Sequence, residues 1–412
     1  MNMQDSGWQL QKLKYSCIIN PNCPITPSVE TVVSYAPMEC VRRGYIEPKE
    51  IVYGDVPTGL TYFADGDIIM AKVTPCFENG NIGIAENLRA GIGYGSSELF
   101  VFRSQSLDTR WLFYYLQNPD FVNRARATMT GTGGLKRVSP SFIRNHSFFA
   151  PSIAEQSRIA AYLDRRCAAI DALIVNQQQQ IDKLKQYKQA VITEAVTRGL
   201  DPSVRMKDSG VEWIGEVPEH WKIIRGKWLF HETNERSKTG EEELLSVSHI
   251  TGISPRSQKN VNMFMAESLV DYKICHVNDI ASNTMWMWQG AIGVSKFHGV
   301  ISPSYNTYRQ TNNDYDSRYL DYMLRIEPII HEYISRSSGI VASRLRLYPD
   351  DFFEIMFFVP PKNEQQEIVA YLDTKCAQID DLIALKQQKA DKLAQYKKSL
   401  IYEVVTGKKE IE

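Results

Sequence analysis

The chain has 412 residues, 43% of them hydrophobic, and its 47 basic and 48 acidic side chains leave a formal net charge of −1. That balance excludes a general attraction to polyanions, so any nucleic-acid contact would have to rest on local clusters. No stretch approaches the ~20 apolar residues of a membrane span, the start Met1-Asn2-Met3-Gln4-Asp5 lacks a signal peptide, and the seven Cys show no metal spacing, so the expectation is a reduced, soluble, cytoplasmic protein without a metal site.

Residues 1–150 are short runs rich in Val, Ile, Tyr and Phe separated by Gly, Asn, Pro and Ser clusters, which predicts mixed, mainly β structure with its own core. Pro151 then opens a predicted helix that ends at Gly199 without an internal Pro or Gly. Spacings of four and three place Ile170, Ile174, Gln177, Ile181, Leu184, Lys188, Val191 and Ala195 on one stripe, a coiled-coil pattern with polar interruptions. Residues 201–358 return to the β-type pattern. Pro360-Pro361 open a second helix, ending at Gly407, whose stripe is Ile379, Ile383, Lys386, Ala390, Leu393, Lys397, Leu400 and Val404. At ~1.5 Å per residue each helix would reach roughly 65 Å.

The second helix is a copy of the first. Residues 155–197 align with 364–406 at one offset (364 − 155 = 209), with 25 of the 43 positions identical. The preceding segments repeat more faintly. Asp67-Ile68 returns as Asp279-Ile280, Ile82-Gly83-Ile84-Ala85 as Ile292-Gly293-Val294-Ser295, Asp108-Thr109-Arg110-Trp111-Leu112 as Asp316-Ser317-Arg318-Tyr319-Leu320, and Phe148-Phe149 as Phe357-Phe358. The plan is α+β: globule 1–150, helix 151–200, globule 201–358, helix 359–412. Two helices of one sequence most simply form an antiparallel pair about a pseudo-twofold axis.

Motifs for chemistry are sparse. Arg42-Arg43, Lys136-Arg137 and Arg344 with Arg346 are candidate cation clusters, and Gly131, Gly133 and Gly134 form a turn presenting Lys136 and Arg137. Asn118-Pro119-Asp120-Phe121 is similar to the Asn-Pro-Pro-aromatic loop of amino-methyltransferases, but its second Pro is missing and no Gly-rich cofactor loop precedes it. There is no Gly-x-x-x-x-Gly-Lys phosphate loop, and the His residues have no ligand spacing. The chain therefore reads as non-catalytic by itself.

Three segments resemble the specificity subunit of type I restriction-modification systems. They are Lys72-Val73-Thr74-Pro75-Cys76-Phe77-Glu78-Asn79-Gly80-Asn81-Ile82-Gly83, then Lys207-Asp208-Ser209-Gly210-Val211-Glu212-Trp213-Ile214-Gly215-Glu216-Val217-Pro218-Glu219-His220-Trp221, and the duplicated Pro-x-x-x-Glu-Gln helix at Pro151 and Pro360. The resemblance covers essentially the whole chain. It implies two target recognition domains, each reading one half of a bipartite double-stranded DNA site, and two conserved helices whose length sets the gap. It also implies docking of two methyltransferase subunits and of nuclease-translocase subunits. S-adenosylmethionine, ATP and Mg would belong to those partners, leaving this chain without a cofactor.

By that resemblance the DNA-reading residues expected in the first domain are Lys72, Thr74, Asn79, Asn81, Ser96, Ser97, Lys136 and Arg137. In the second they are Asn283, Trp286, Gln289, Ser302, Tyr305, Ser343, Arg344 and Arg346, although Thr284-Met285-Trp286-Met287-Trp288-Gln289-Gly290 departs from the family pattern there. Trp288 is expected in the core. Lys183, Gln186, Tyr187 and Lys188, with Lys392, Gln395, Tyr396 and Lys397, are repeated polar positions suited to docking the methyltransferases. Two other classes stay open: a coiled-coil scaffold that reads no DNA, and a stand-alone DNA methyltransferase using the loop at Asn118.

Overall fold

The two predicted helices are Ile153–Arg198 and Lys362–Val405 in a computed structural model that describes residues 7–132, 134–258, 268–339 and 345–411. Each ends on a glycine in the left-handed region, Gly199 at φ +77° and Gly407 at φ +67°, where a side chain would be strained. Every residue of both predicted stripes is buried or half-buried, so the four-and-three spacing identified the packed face.

The chain divides into two units, one comprising Met1–Gln178 with Gln387–Glu412 and the other Gln179–Lys386. Each unit therefore contains the beginning of one long helix and the end of the other, and in each the two segments run antiparallel. In the first unit Lys397 Nζ lies 2.6 Å from an Asp171 carboxylate oxygen, and Arg158 donates to the Ile411 carbonyl at 3.5 Å. In the second, Lys188 Nζ lies 2.7 Å from Asp380, and Lys386 donates to Gln180. The first of these pairs is one contact made twice, since 380 − 171 and 397 − 188 both equal 209.

The cores follow the same exchange. In the first unit Trp8, Trp111, Phe121 and Phe148 pack with Ile159, Leu163 and Cys167 from the start of the first helix and with Leu400, Ile401 and Val404 from the end of the second. In the second unit Trp221, Phe230, Tyr308 and Phe357 pack with Ile368, Leu372 and Cys376, and with Val191, Ile192 and Val196. A Cβ on Gly407 would sit 3.2 Å from the Trp8 ring, and one on Gly199 3.5 Å from the Trp221 ring. The glycine after each helix thus serves the ring as well as the turn.

Polar clasps hold each globule to its helix. The Gln156 side chain is 1% exposed, accepts the Asp108 N–H at 2.8 Å and donates to the Pro151 carbonyl at 2.8 Å. Gln365, 0% exposed, does the same for Asp316 (2.7 Å) and Pro360 (2.8 Å). Asp108 and Asp316 in turn cap the short helices Thr109–Tyr115 and Ser317–Met323. Asp164 takes Tyr114 Oη at 2.8 Å and Arg110 at 3.1 Å, and Asp373 takes Tyr322 Oη at 3.2 Å and Arg318.

Each globule is built on one four-stranded antiparallel sheet. In the first unit its order is Cys17–Ile19, Leu99–Ser104, Ile68–Ala71, Ile82–Ile84, and in the second Phe230–Thr233, Asn306–Gln310, Ile280–Ser282, Ile292–Val294. The repeated Asp-Ile pairs have a buried purpose. Asp67 accepts the Ala64 N–H and a two-point contact from Arg103, and Asp279 accepts the His276 N–H and a two-point contact from Arg309, which pushes both arginines further toward their charged form. A second sheet differs between the units. Four strands join in the first, with Val32–Ala36 parallel to Ile92–Gly95, whereas the second has two separate pairs, Leu245–Ser248 with Gly252–Pro255 and Lys273–Cys275 with Gly299–Ile301.

Gln156→Ala or Gln365→Ala leaves a buried N–H and a buried C=O unpaired, for a loss of about 2–4 kcal/mol in the unit concerned. Gln387→Ala, in an exposed contact to Asp391, changes stability by less than about 0.5 kcal/mol. Denaturant unfolding followed by hydrogen exchange separates the two cases.

Candidate nucleic-acid interface

Three loops of the first unit meet where the main sheet ends at Ala71 and Leu99, which are register partners. One is the 72–81 loop leaving Ile68–Ala71, another the 96–98 turn entering Leu99–Ser104, and the third the 130–137 arm. The arm is held by its own pairing, Thr130 with Arg137, and by a bridge from Arg137 to Val73. Here the structure gathers most of the residues predicted for this globule. Lys72 Nζ donates to the Ser97 carbonyl at 2.6 Å and stands 5.8 Å from the Phe100 ring centroid. Thr74 Oγ1 donates to the Gly134 carbonyl at 2.7 Å and accepts the Lys136 N–H at 2.9 Å. Ser96 Oγ accepts the Glu98 N–H at 3.2 Å. Lys136 is exposed at the rim.

Arg137 is not a free cation. Its guanidinium makes a two-point contact with Glu98, at 2.8–3.0 Å, and that bond holds the Glu98 carboxyl below its ordinary range. Sequence reading missed Glu98, which stands 39 residues from Arg137. Asn79 and Asn81 face a groove also lined by Arg43, Asn123, Arg126 and Lys398, and Arg126 is engaged with Glu78 at 3.3 Å.

The second unit repeats this arrangement with different chemistry. Ser282 and Asn306 are register partners at the sheet end, from which the 283–290 loop and the 302–305 turn project. Asn283 is buried and donates to Tyr305 Oη at 2.8 Å. Thr284 donates to the Ser304 carbonyl, and the Ser302 and Ser304 hydroxyls are 2.9 Å apart. Gln289 is half-buried in the short turn Met287–Gln289. Arg346 pairs through its backbone with Ser338, as Arg137 does with Thr130. With the half-buried arginines Arg103 and Arg309 aligned (309 − 103 = 206), Ser304 stands at the position of Glu98. Ser343 and Arg344 lie outside the described residues.

One aromatic residue in this loop corrects the sequence reading. Trp288, expected in the core, is half-buried and stacks on the exposed Trp286 with centroids 6.2 Å apart, while Met287 is the fully buried residue. The reason is the turn at Gly290, φ +83°, which directs Met287 inward. Lys273, which sequence reading passed over, is 5% exposed and reaches Asn306 at 3.5 Å and Glu232 at 3.6 Å. Burial lowers its pKa.

The Asn118-Pro119-Asp120-Phe121 motif is a helix start. The buried Asn118 accepts the Phe121 N–H at 3.0 Å and donates to the Tyr115 carbonyl, so its amide is already committed. On the long helices, Lys183, Gln186, Tyr187, Lys392, Gln395 and Tyr396 are exposed. Lys188 and Lys397 are not presented in the same way, because each is half-buried in its ion pair with Asp380 or Asp171.

No family model matches the chain. It is 35% identical over 196 residues to the Type I restriction enzyme EcoEI specificity subunit of Escherichia coli, a match covering 46% of this chain and 32% of that protein. It is 31% identical over 223 residues to the EcoAI specificity subunit of the same organism, covering 53% and 37%. The matches thus span about a third of these relatives' length. Two solved structures share the fold over nearly the whole chain. One, from work on complex assembly and conformational transition of the type I R-M system, has a TM-score of 0.75 at 17% identity and covers 97% of this chain and 98% of its own. The other, the HsdS subunit from Thermoanaerobacter tengcongensis, has a TM-score of 0.53 at 18% identity and covers 97% of both.

Thr74→Val removes the acceptor of the Lys136 N–H and the tie to Gly134. Amide exchange at Lys136 is expected to speed up by roughly tenfold or more, the equivalent of a lost hydrogen bond of ~1.4 kcal/mol, with no change at Arg346.

Proposed function

We propose that the chain is a specificity subunit of the type I restriction-enzyme kind, the non-catalytic DNA-reading component of such a complex, as its likeness to the two Escherichia coli specificity subunits supports. Each globule reads one half of a bipartite duplex site with the loops at its sheet end, and the two long helices set the gap and dock two methyltransferase subunits. Nuclease-translocase subunits complete the restriction complex. S-adenosylmethionine, ATP and Mg belong to those partners.

The observation that carries this reading is the convergence, at one sheet end in each unit, of short polar side chains on hydrogen-bonded loops. Base edges are read by such donors and acceptors, while cations on phosphate fix register. Thr74, Asn79, Asn81 and Ser96 suit the first role in one unit, and Asn283, Gln289, Ser302 and Tyr305 in the other. Lys72, Lys136 and Arg346 suit the second, with Ser343 and Arg344 kept as candidates beside them. The chemical step falls to the methyltransferases, whose adenine must leave the duplex stack before modification. DNA held at both half-sites would resist sliding while that happens. The near-zero net charge fits selective rather than general DNA binding.

The first test is single-molecule methylome sequencing of cells expressing the chain with its neighbouring methyltransferase, against cells lacking the chain. A methylated-adenine motif of two short halves around a fixed gap, present only with the chain, is expected; a complex that co-purifies yet yields no motif supports the scaffold reading instead. The second concerns charge. Glu98→Gln releases Arg137, so duplex binding should tighten and become less selective, with the slope of log K against log salt steeper by about 0.9. Anisotropy titrations at several salt concentrations measure it.

A further inference from the structure

Each globule carries the same exposed basic and aromatic turn, at the sheet end away from the candidate reading loops. In the first unit it is Lys12-Leu13-Lys14-Tyr15 and in the second Arg225-Gly226-Lys227-Trp228. The offset is 213 (228 − 15), the offset that also relates Trp8 to Trp221. Leu13 and Gly226 are buried, while both cations and the ring are exposed in each copy. Tyr15 is 72% and Trp228 65% exposed. Lys14 Nζ stands 4.9 Å from the Tyr15 centroid, and Lys227 Nζ 5.4 Å from that of Trp228. A single exposed ring needs no explanation. An exposed ring flanked by two cations at matching places in two globules that have otherwise diverged does.

Position separates this turn from the candidate DNA surface. In the first unit it leads into Cys17, the register partner of Ser104, whereas the reading loops leave the sheet at Leu99, five residues or about 17 Å along the same strand. In the second it leads into Phe230, opposite Gln310, whereas the reading loops leave at Asn306. In both units the adjoining strand, Gln9–Lys12 or Lys222–Arg225, pairs with the strand that enters the long helix, Ser147–Ala150 or Met356–Val359.

We propose that these turns are a duplicated protein-docking contact, one per unit, for a partner present in two copies that offers an apolar hollow rimmed by carboxylates. Resting on the function proposed above, the occupant is the methyltransferase subunit, held here as well as at the helices. Aromatic and cationic side chains are the types on which association energy concentrates. Duplication matches a partner that binds twice, and distance from the reading loops sets this contact apart from base readout.

The test uses the full chain with its neighbouring methyltransferase, binding being measured by mass photometry over graded concentrations. Lys14→Glu with Tyr15→Ala should weaken one of the two bound copies by roughly tenfold or more, Lys227→Glu with Trp228→Ala the other, and all four changes both. Tyr15→Phe and Trp228→Phe should retain most of the binding, and amide exchange in the two sheets should be unaltered in every variant. Binding of a 40-bp duplex by the chain alone should stay within twofold of wild type. Unchanged methyltransferase affinity in both charge-reversed variants overturns the proposal, as does loss of duplex binding with the methyltransferase unaffected, which would make the turns phosphate contacts. A wild-type chain that binds no methyltransferase overturns the function proposed above and this contact with it.

Discussion

The structure depends on antiparallel packing between the two copies of one long helix. A helix with a single apolar stripe is unstable alone in water and must bury that stripe. Here the copies bury it against each other, and their ends enter the cores of the globules. Leu400, Ile401 and Val404 complete the core around Trp8 and Trp111, and Val191, Ile192 and Val196 complete the core around Trp221. Neither globule has a full core without a segment from the other half's helix. Within each unit one ion pair, Lys188 with Asp380 or Lys397 with Asp171, marks the register of the two helix segments.

That register is passed to the globules through buried polar contacts. Gln156 and Gln365 tie each helix start to the cap of the short helix in its globule, and Asp164 and Asp373 add a second attachment about two turns further on. Each globule's main sheet is thereby held to its helix, and the candidate DNA-contact loops hang from one end of that sheet. The two reading ends differ in charge. In the first unit Arg137 is neutralised by Glu98, whereas in the second a serine, Ser304, stands at the position aligned with Glu98, Lys273 is buried beside Asn306, and Trp286 is exposed. A shared frame thus carries two unlike ends, which fits the proposed reading of two unlike half-sites.

Much of the frame was legible in the sequence. The helix boundaries, the two stripes and the Asp-Ile pairs depend on local periodicity or on repetition, both visible without coordinates. Lys72, Thr74, Ser97 and Lys136, far apart in sequence, come together at one sheet end. Three features were hidden because they depend on contacts between distant residues. Glu98 became relevant only when folding brought it to Arg137. Lys273 is buried through the pairing of its strand with Gly299–Ile301 and its approach to Asn306, contacts that no local pattern announces. Trp288 was taken for core because a tryptophan in an apolar run usually is, but the turn at Gly290 gives that place to Met287. Repetition marks Lys188 and Lys397, but not their partners Asp380 and Asp171, which lie on the other helix.

The central claim is that each unit reads its own half of the site. The most direct measurement is the methylated motif produced by a complex whose chain carries Lys72→Ala, Thr74→Ala and Lys136→Ala, all at the reading end of the first unit. The account predicts that one half of the bipartite motif becomes degenerate while the other half and the gap keep their wild-type identity. Equal relaxation of both halves, or an unchanged motif, would contradict it.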